Sequence, residues 1–446
     1  MLREAWALAI EALSQIELNR ISERTALTQA TKQLRIRDPK ILGLAHKLVL
    51  ETSRRKNLTD YLINRALMSR ALDDFRLGLR AFLRLYTYET SIRQGGVERA
   101  EKITRTGRAI LGWRELRKVE GTLERLLYTN VDVVLKRKSD EERVALQTYH
   151  PTWFVRYCYR LLGRAEALEF LKYSNQIPST YIRLNTLKAP TEALLDAIRK
   201  DGVTLKKEAK LMHTYKVTKS QKALPKMQSF RNGFFYIQDK ASCLAAEVAN
   251  PQPGMKVIDA CAAPGAKTTY LAQLMKNKGT ILSLDYSKRR MRVWKQDIKR
   301  LGTENAFPAL TDLRKSLPTK LLANLVVLDP PCTSTGTFSR MPSGKWRLTK
   351  RSIMNMARIQ WEMLNLCSSF VDDDGHLVYS TCSITVEENE MLIERFLKHN
   401  SEFTPVESLP RIGVSGLRGQ VHSQRLYPHL HNCNGFFVAK LLKQTT

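Results

Sequence analysis

No apolar run in this 446-residue chain approaches the roughly 18 residues needed to cross a bilayer. Ala5–Ile10 is apolar, but Glu4 precedes it and Glu11 and Glu17 follow, as in an amphipathic helix rather than a signal or transit peptide. No membrane partner and a cytoplasmic setting are therefore expected. Disulfide and metal frameworks are equally poorly supplied. The seven cysteines form no Cys-x-x-Cys pair and are odd in number, so reduced thiols and no metal are expected. His429, His431 and Cys433 lie close together, but without a second cluster of matching spacing they read as loop polarity. Neither a Walker A loop nor a Gly-x-Gly-x-x-Gly turn is present.

Acidic residues are also in short supply, with 43 Asp and Glu against 73 Lys and Arg, a formal net charge of +30. Basic residues recur along the whole length, as in Arg54-Arg55-Lys56, Lys206-Lys207, Lys288-Arg289-Arg290 and Lys350-Arg351. Each cation set against a phosphate releases condensed counterions, so a nucleic acid is the expected partner. A highly charged soluble surface is the plainer alternative. An anionic membrane fits less well, because no basic amphipathic helix with an aromatic apolar face is present. A hydrophobic content of 43% is enough for ordinary cores. At about 150 residues per domain, the length allows two or three.

Residues 1–145 read as all-helical, with apolar steps such as Leu42, Ala45, Leu48, Val49 and a single proline, Pro39, placed after Asp38 where a helix can begin. A small α+β unit is expected over 146–240. It holds a helical stretch Thr152–Tyr173, short strands at Tyr181–Asn185 and Gly233–Ile237, and a helix over 190–201. From 241 to 446, strands and helices alternate as in a parallel α/β sheet. Strands are expected at Lys256–Asp259, Thr280–Asp285, Ala306–Leu310, Leu325–Asp329, His376–Thr381 and Gly435–Leu442, with helices at Thr268–Met275, Ser287–Leu301, Arg351–Val371 and Val386–His399.

Asp259–Thr268 joins the first strand of this sheet to its first helix. Its small residues let a ligand approach the backbone, and the helix N-terminus offers amide donors. A nucleotide-like cofactor at the carboxyl ends of such strands is the expectation. Asp285 ends the second strand, where an acid can bind both hydroxyls of a ribose; capping the helix after Ser287 is its rival role. Asp312 follows the third strand, as either an adenine contact or an open loop acid.

Asp329-Pro330-Pro331-Cys332 ends one apolar strand and Ser380-Thr381-Cys382-Ser383 ends the next. If the strands are neighbours, the two thiols converge beside the cofactor loop. Such a pair suits methylation of cytosine at carbon-5. That carbon is a poor nucleophile until a thiolate adds to carbon-6, and afterwards a base must remove its proton. Asp329 can accept from the cytosine amine or donate to the ring nitrogen. Either thiol could attack. An inert buried thiol is the plain reading of a lone cysteine, and applies to Cys158, Cys243 and Cys367. Methylation of an exocyclic amine, which needs no nucleophile, typically follows Asn/Asp-Pro-Pro with an aromatic residue where this chain has Cys332.

The motifs resemble the Nol/Nop/Sun family of RNA cytosine-5 methyltransferases. They run through His150-Pro151-x-Trp153, Arg183-Leu184-Asn185, Gln238-Asp239-x-Ala241-Ser242, Asp259–Thr268, Asp329–Cys332, Ser380–Ser383 and Asn434-Gly435-Phe436-Phe437. The resemblance implies a Rossmann-like class I sheet that binds S-adenosyl-L-methionine through Cys261, Ala262, Ala263, Pro264, Gly265, Ala266, Lys267, Asp285, Asp312 and Asp329. It implies Cys382 as the nucleophile, Cys332 as the aid to product release, and Lys267 near the target base. Ala266 stands where a second glycine is frequent, which puts cofactor affinity in question. Asn434 replaces a common aspartate, which affects one local contact. Residues 1–145 resemble the NusB-like domain of Sun/Fmu-type 16S rRNA methyltransferases, and 146–240 the RRM-like subdomain. These imply an RNA partner, rRNA ahead of tRNA, and a monomer. A non-catalytic ribosome assembly factor on the same fold is the other reading.

Overall fold

The computed structural model describes residues 1–315 and 322–445. Packing gathers the chain into two compact units: Met1–Gln176 with Phe338–Leu348, and Ile177–Thr337 with Thr349–Thr446.

The first unit is helical throughout. Asp38 caps the helix Pro39–Arg54 by accepting from the Lys40 amide at 2.7 Å, and Pro39 sits in the first turn, where its missing N–H costs nothing. Trp6, Leu48, Phe82 and Leu85 lie in its core. The helical stretch expected over Thr152–Tyr173 is two helices, Thr152–Leu162 and Arg164–Tyr173, divided at Gly163 with its φ of 75°. The first packs on the helix Asp140–Gln147, so packing carries the helical unit to Gln176, past the expected boundary at 145. Phe338–Leu348 also belongs to this unit, although it falls within the stretch read as catalytic. Its Lys345 is fully buried and donates to the Tyr149 carbonyl and the Asn175 amide oxygen at 3.0 and 2.7 Å. Burial pushes that ammonium well below its ordinary pKa.

The second unit carries two sheets. In the smaller, β1 (Tyr181–Leu184), β2 (Val203–Lys207), β3 (Thr214–Ser220) and β4 (Phe235–Ile237) run in the order β2-β3-β1-β4, all antiparallel. The β2–β3 hairpin was not legible in the sequence. Its lysines blur the apolar alternation, and Lys206 even faces Lys216 across the pair.

The larger sheet has nine strands: β5 (Lys256–Ala260), β6 (Thr280–Asp285), β7 (Ala306–Leu310), β8 (Ala323–Leu328), β9 (Val371–Thr381), β10 (Phe403–Val406), β11 (Val414–Ser415), β12 (Gln424–Leu426) and β13 (Phe436–Lys443). Their order is β11-β12-β13-β9-β8-β5-β6-β7, with β10 on β13. The expectation of a parallel sheet holds from β7 to β9 only. The β13–β9, β10–β13, β12–β13 and β11–β12 pairs are antiparallel, so the sheet is mixed. β11, β12 and β13 follow one another through short connections, and strands joined in that way pair antiparallel. Flanking helices are α1 (Ala266–Leu274), α2 (Lys288–Leu301), α3 (Lys350–Ser368) and α4 (Glu390–His399). β5 lies between β6 and β8, so the chain builds outward first to one side and then to the other. That reversal opens a crevice beyond the carboxyl ends of β5 and β8, the usual ligand position in such sheets.

Candidate active site

β8 and β9 are parallel neighbours, with Leu328 beside Tyr379. Their carboxyl ends therefore bring Cys332 and Cys382 together, with the two sulfurs 3.2 Å apart. Both thiols line a cavity of about 420 Å³, together with Cys261, Asp285, Asp312 and Asp329. Tyr286, Arg290, Arg314, Ser334, Met356 and Met363 also line it. Sequence reasoning missed these six, because they follow no motif and reach the cavity only through the elements that carry them. Ala262, Ala263, Gly265 and Lys267 are buried behind the wall, whereas Pro264 is exposed.

The two thiols are not equivalent. Cys382 is pulled below the usual thiol range, first by the hydrogen bond from Cys332 and further by the Ser334 hydroxyl 3.4 Å away. Cys332 is pushed well up, first by the same shared proton and then by burial. The other five cysteines are all pushed up, burial being the leading cause, Cys243 and Cys367 to about 12. Cys382 is thus the one thiol of the seven biased towards thiolate.

Around the pair, Lys267 forms an ion pair with Asp329, whose other oxygen lies 3.5 Å from the Ser380 hydroxyl. Burial works against the charge of Lys267, but Asp329 outweighs it and the ammonium ends above its ordinary pKa. Asp259, at the end of β5, accepts from the Thr268 hydroxyl at 2.5 Å, and burial raises its carboxyl to about 7. Cys261 holds a left-handed φ of 69°, a strained backbone of the kind that clusters where a ligand is held.

Asp285 fills the capping role weighed for it. One oxygen accepts from the Ser287 amide at 2.8 Å and caps the following segment, and the other accepts from the Ala263 amide at 3.1 Å. The Arg290 guanidinium also lies 3.5 Å from the second oxygen, which leaves the first with a lone pair free for a ribose hydroxyl. Asp312 lies against the guanidinium of Arg314 at 2.6 and 2.8 Å, and that hydrogen bonding holds its carboxyl down at about 2. The donor set fits S-adenosylmethionine: a ribose acid on β6, apolar walls from Leu313, Ile359 and Met363, and acids able to face a sulfonium.

Other landmarks of the sequence act as joints. Arg183 is fully buried and donates to Gln238 at 2.9 Å, to the Ala266 carbonyl at 2.9 Å and to Thr269 at 3.0 Å. It thereby ties β1 to the start of α1. Asn185 donates to the carbonyls of Gly233 and Leu301. The Asn434 amide reaches Asp239 at 3.2 Å, while its side-chain oxygen is buried without a partner. Among the described residues no cluster of three or more His, Cys, Asp or Glu could hold a metal ion.

The family model described as 16S rRNA methyltransferase RsmB/F matches residues 246–442. A probable ribosomal RNA small subunit methyltransferase B of Bacillus subtilis is 28% identical over 98% of this chain and 98% of its own length. A Synechocystis protein of the same description is 31% identical over 73% of this chain and 74% of its own. The crystal structure of NSun6 from Pyrococcus horikoshii with the S-adenosylmethionine analogue SFG aligns with a TM-score of 0.61 at 27% identity, over 66% of this chain and 99% of that one. With the paired strand-end cysteines and the cofactor crevice, these similarities show that the chain belongs to the RsmB/F family of S-adenosylmethionine-dependent RNA cytosine-C5 methyltransferases.

Proposed function

We propose that this enzyme methylates a cytosine of ribosomal RNA, with Cys382 as nucleophile and Cys332 as the residue that lets the product go. The observation that carries the reading is the pair of sulfurs 3.2 Å apart at the carboxyl ends of the neighbouring strands β8 and β9. The division of labour follows the Thr-Cys and Pro-Pro-Cys motifs, with which the bias of Cys382 agrees.

The target base must leave its stack, since thiol and methyl donor approach opposite faces of the ring. Cys382 Sγ bonds to carbon-6, and the ring electrons move towards the amidine nitrogen. Asp329, held by Lys267, can accept from the cytosine amine, and the Lys267 ammonium beside it counters that charge. Bound S-adenosylmethionine supplies an electrophilic methyl on its sulfonium, which carbon-5 of the adduct is now electron-rich enough to accept. Once Cys382 is a neutral thioether, Cys332 no longer shares its proton with a thiolate. With the anion gone from Cys382, Cys332 can release its own proton to solvent and then, as a thiolate, take the carbon-5 proton, which restores it to the thiol. The carbon–sulfur bond then breaks, the double bond returns and Cys382 leaves as thiolate.

Asp285 and the 261–267 loop hold the cofactor in this reading, with Asp312 at its adenine end. Residues 1–145 act as a NusB-like RNA-binding domain and 146–240 as an RRM-like subdomain ahead of the catalytic 241–446. The β-α-β-β-α-β order and the β2-β3-β1-β4 sheet support the second of these. The same reading has the enzyme act as a cytoplasmic monomer without a resident metal. Bisulfite sequencing of rRNA and tRNA from a strain lacking the protein tests the substrate. One rRNA cytosine should lose its mark and regain it with the wild-type gene but not with Cys382→Ser. Loss confined to tRNA would overturn the rRNA assignment.

A further inference from the structure

Six residues beyond Cys382, the fully buried carboxylate of Glu388 has no Lys, Arg or His partner among the described residues. A buried carboxylate without a cation is costly unless its lone pairs are filled by donors. Here they are filled. One oxygen accepts from the Thr333 amide at 2.8 Å and from Gln360 at 2.9 Å. The other accepts from the hydroxyls of Ser383 at 2.6 Å, Thr385 at 2.7 Å and Thr333. Gln360 also donates to the Pro331 carbonyl at 2.9 Å.

The origin of these donors matters more than their number. Thr333 directly follows Cys332, Ser383 directly follows Cys382, and Gln360 holds the Pro-Pro turn from α3. Glu388 is therefore a single acceptor joining the two loops that carry the sulfurs. It also fits with the helix expected from Val386 beginning only at Glu390, since Glu388 and Asn389 turn their side chains into this network. Neighbouring Asn389 accepts from Thr381 at 2.6 Å and donates to the Ser383 carbonyl at 2.9 Å.

We propose that Glu388 is the positioning residue of the cysteine pair, its carboxylate fixing the 332–335 loop against the 382–385 loop and so setting the separation over which the thiols share a proton. The proposal rests on the pair being the reactive centre but is testable without turnover. Phenylarsine oxide bridges two thiols only when they lie side by side, so its binding to the full-length enzyme, mapped to the Cys332 and Cys382 peptides, reports their register. Glu388→Asp keeps the charge but is one methylene short of spanning both loops. Glu388→Gln keeps the reach, with an oxygen for the Thr333 amide and an amide that the rotatable hydroxyls can accept.

Glu388→Asp is expected to weaken bridging about tenfold, the effect of losing one well-formed buried hydrogen bond. It should lower kcat by a similar factor while KM for RNA and the cofactor Kd stay within about twofold. Glu388→Gln should restore most of the bridging. Wild-type bridging in Glu388→Asp would overturn the proposal, as would an equal loss in both variants. A merely structural role would instead move the cofactor Kd in step with the bridging, and that result also counts against it. If the wild-type enzyme bridges the arsenical but methylates no RNA, the functional reading fails and the positioning role stands.

Discussion

The chemistry rests on two sulfurs whose environments differ by a few contacts. Cys382 has the Cys332 thiol and the Ser334 hydroxyl against it. Hydrogen bonds to an anion favour the anion, so these contacts lower the pH at which Cys382 loses its proton. The thiolate fraction, and with it the rate of adduct formation, should rise with pH through that lowered value and level off above it. Cys332→Ala removes the leading donor, so the single-turnover profile should move to higher pH. A profile unmoved by the substitution would deny Cys332 its part in activating Cys382. Strand-end position made both cysteines, Asp285 and Asp329 legible in the sequence, because elements of known period deliver them to one edge. Ser334 and Glu388 were not legible. They belong to a network of hydroxyls and amides brought together from separated segments, which no spacing announces.

Among the elements, the strands buried on both faces were the readable ones. β5 and β8 are short apolar runs, and the glycine loop and Pro-Pro turn at their ends marked where each stops. β2, β3 and the antiparallel β10–β12 were not, since they are short or lysine-rich, and β10 takes its register from β13, about 35 residues further along the chain. Gly435, a landmark of the last motif, has its reason at this level. The Gly336 amide donates to the Cys382 carbonyl at 2.9 Å, and the Gly435 amide donates to the Gly336 carbonyl at 2.9 Å. A side chain on Gly336 would meet the Gly435 carbonyl oxygen at 2.2 Å, and one on Gly435 would meet the Gly336 Cα at 2.7 Å. The start of β13 is thus pressed against the loop that supports both sulfurs. Gly435→Ala should destabilise the protein by about 1–3 kcal/mol, the usual cost of overpacking, seen as a lower urea midpoint. Methyl transfer should fall with it. An unchanged midpoint would mean that the loop yields freely.

At the scale of the molecule, the net charge of +30 is the feature the sequence states most loudly. Part of that charge is uncompensated. Lys288, Arg289, Arg292, Lys295 and Lys299 are exposed on α2 and make no ion pair among the described residues, where Asp297 is taken by Arg300. Like charges three and four residues apart weaken a helix, so this face is better explained by an anionic partner than by its own stability. RNA affinity should fall steeply with salt, roughly a thousandfold between 50 and 200 mM if six or more phosphates are contacted. Binding that ignores salt would remove the electrostatic account. It would leave the chemistry untouched, and the chemistry is decided by one measurement. Cys332→Ala, incubated with substrate RNA and S-adenosylmethionine, should yield a covalent RNA–protein adduct on a denaturing gel, and Cys382→Ser should yield neither adduct nor methylated RNA. Methylation by Cys382→Ser, with no adduct from Cys332→Ala, would contradict it.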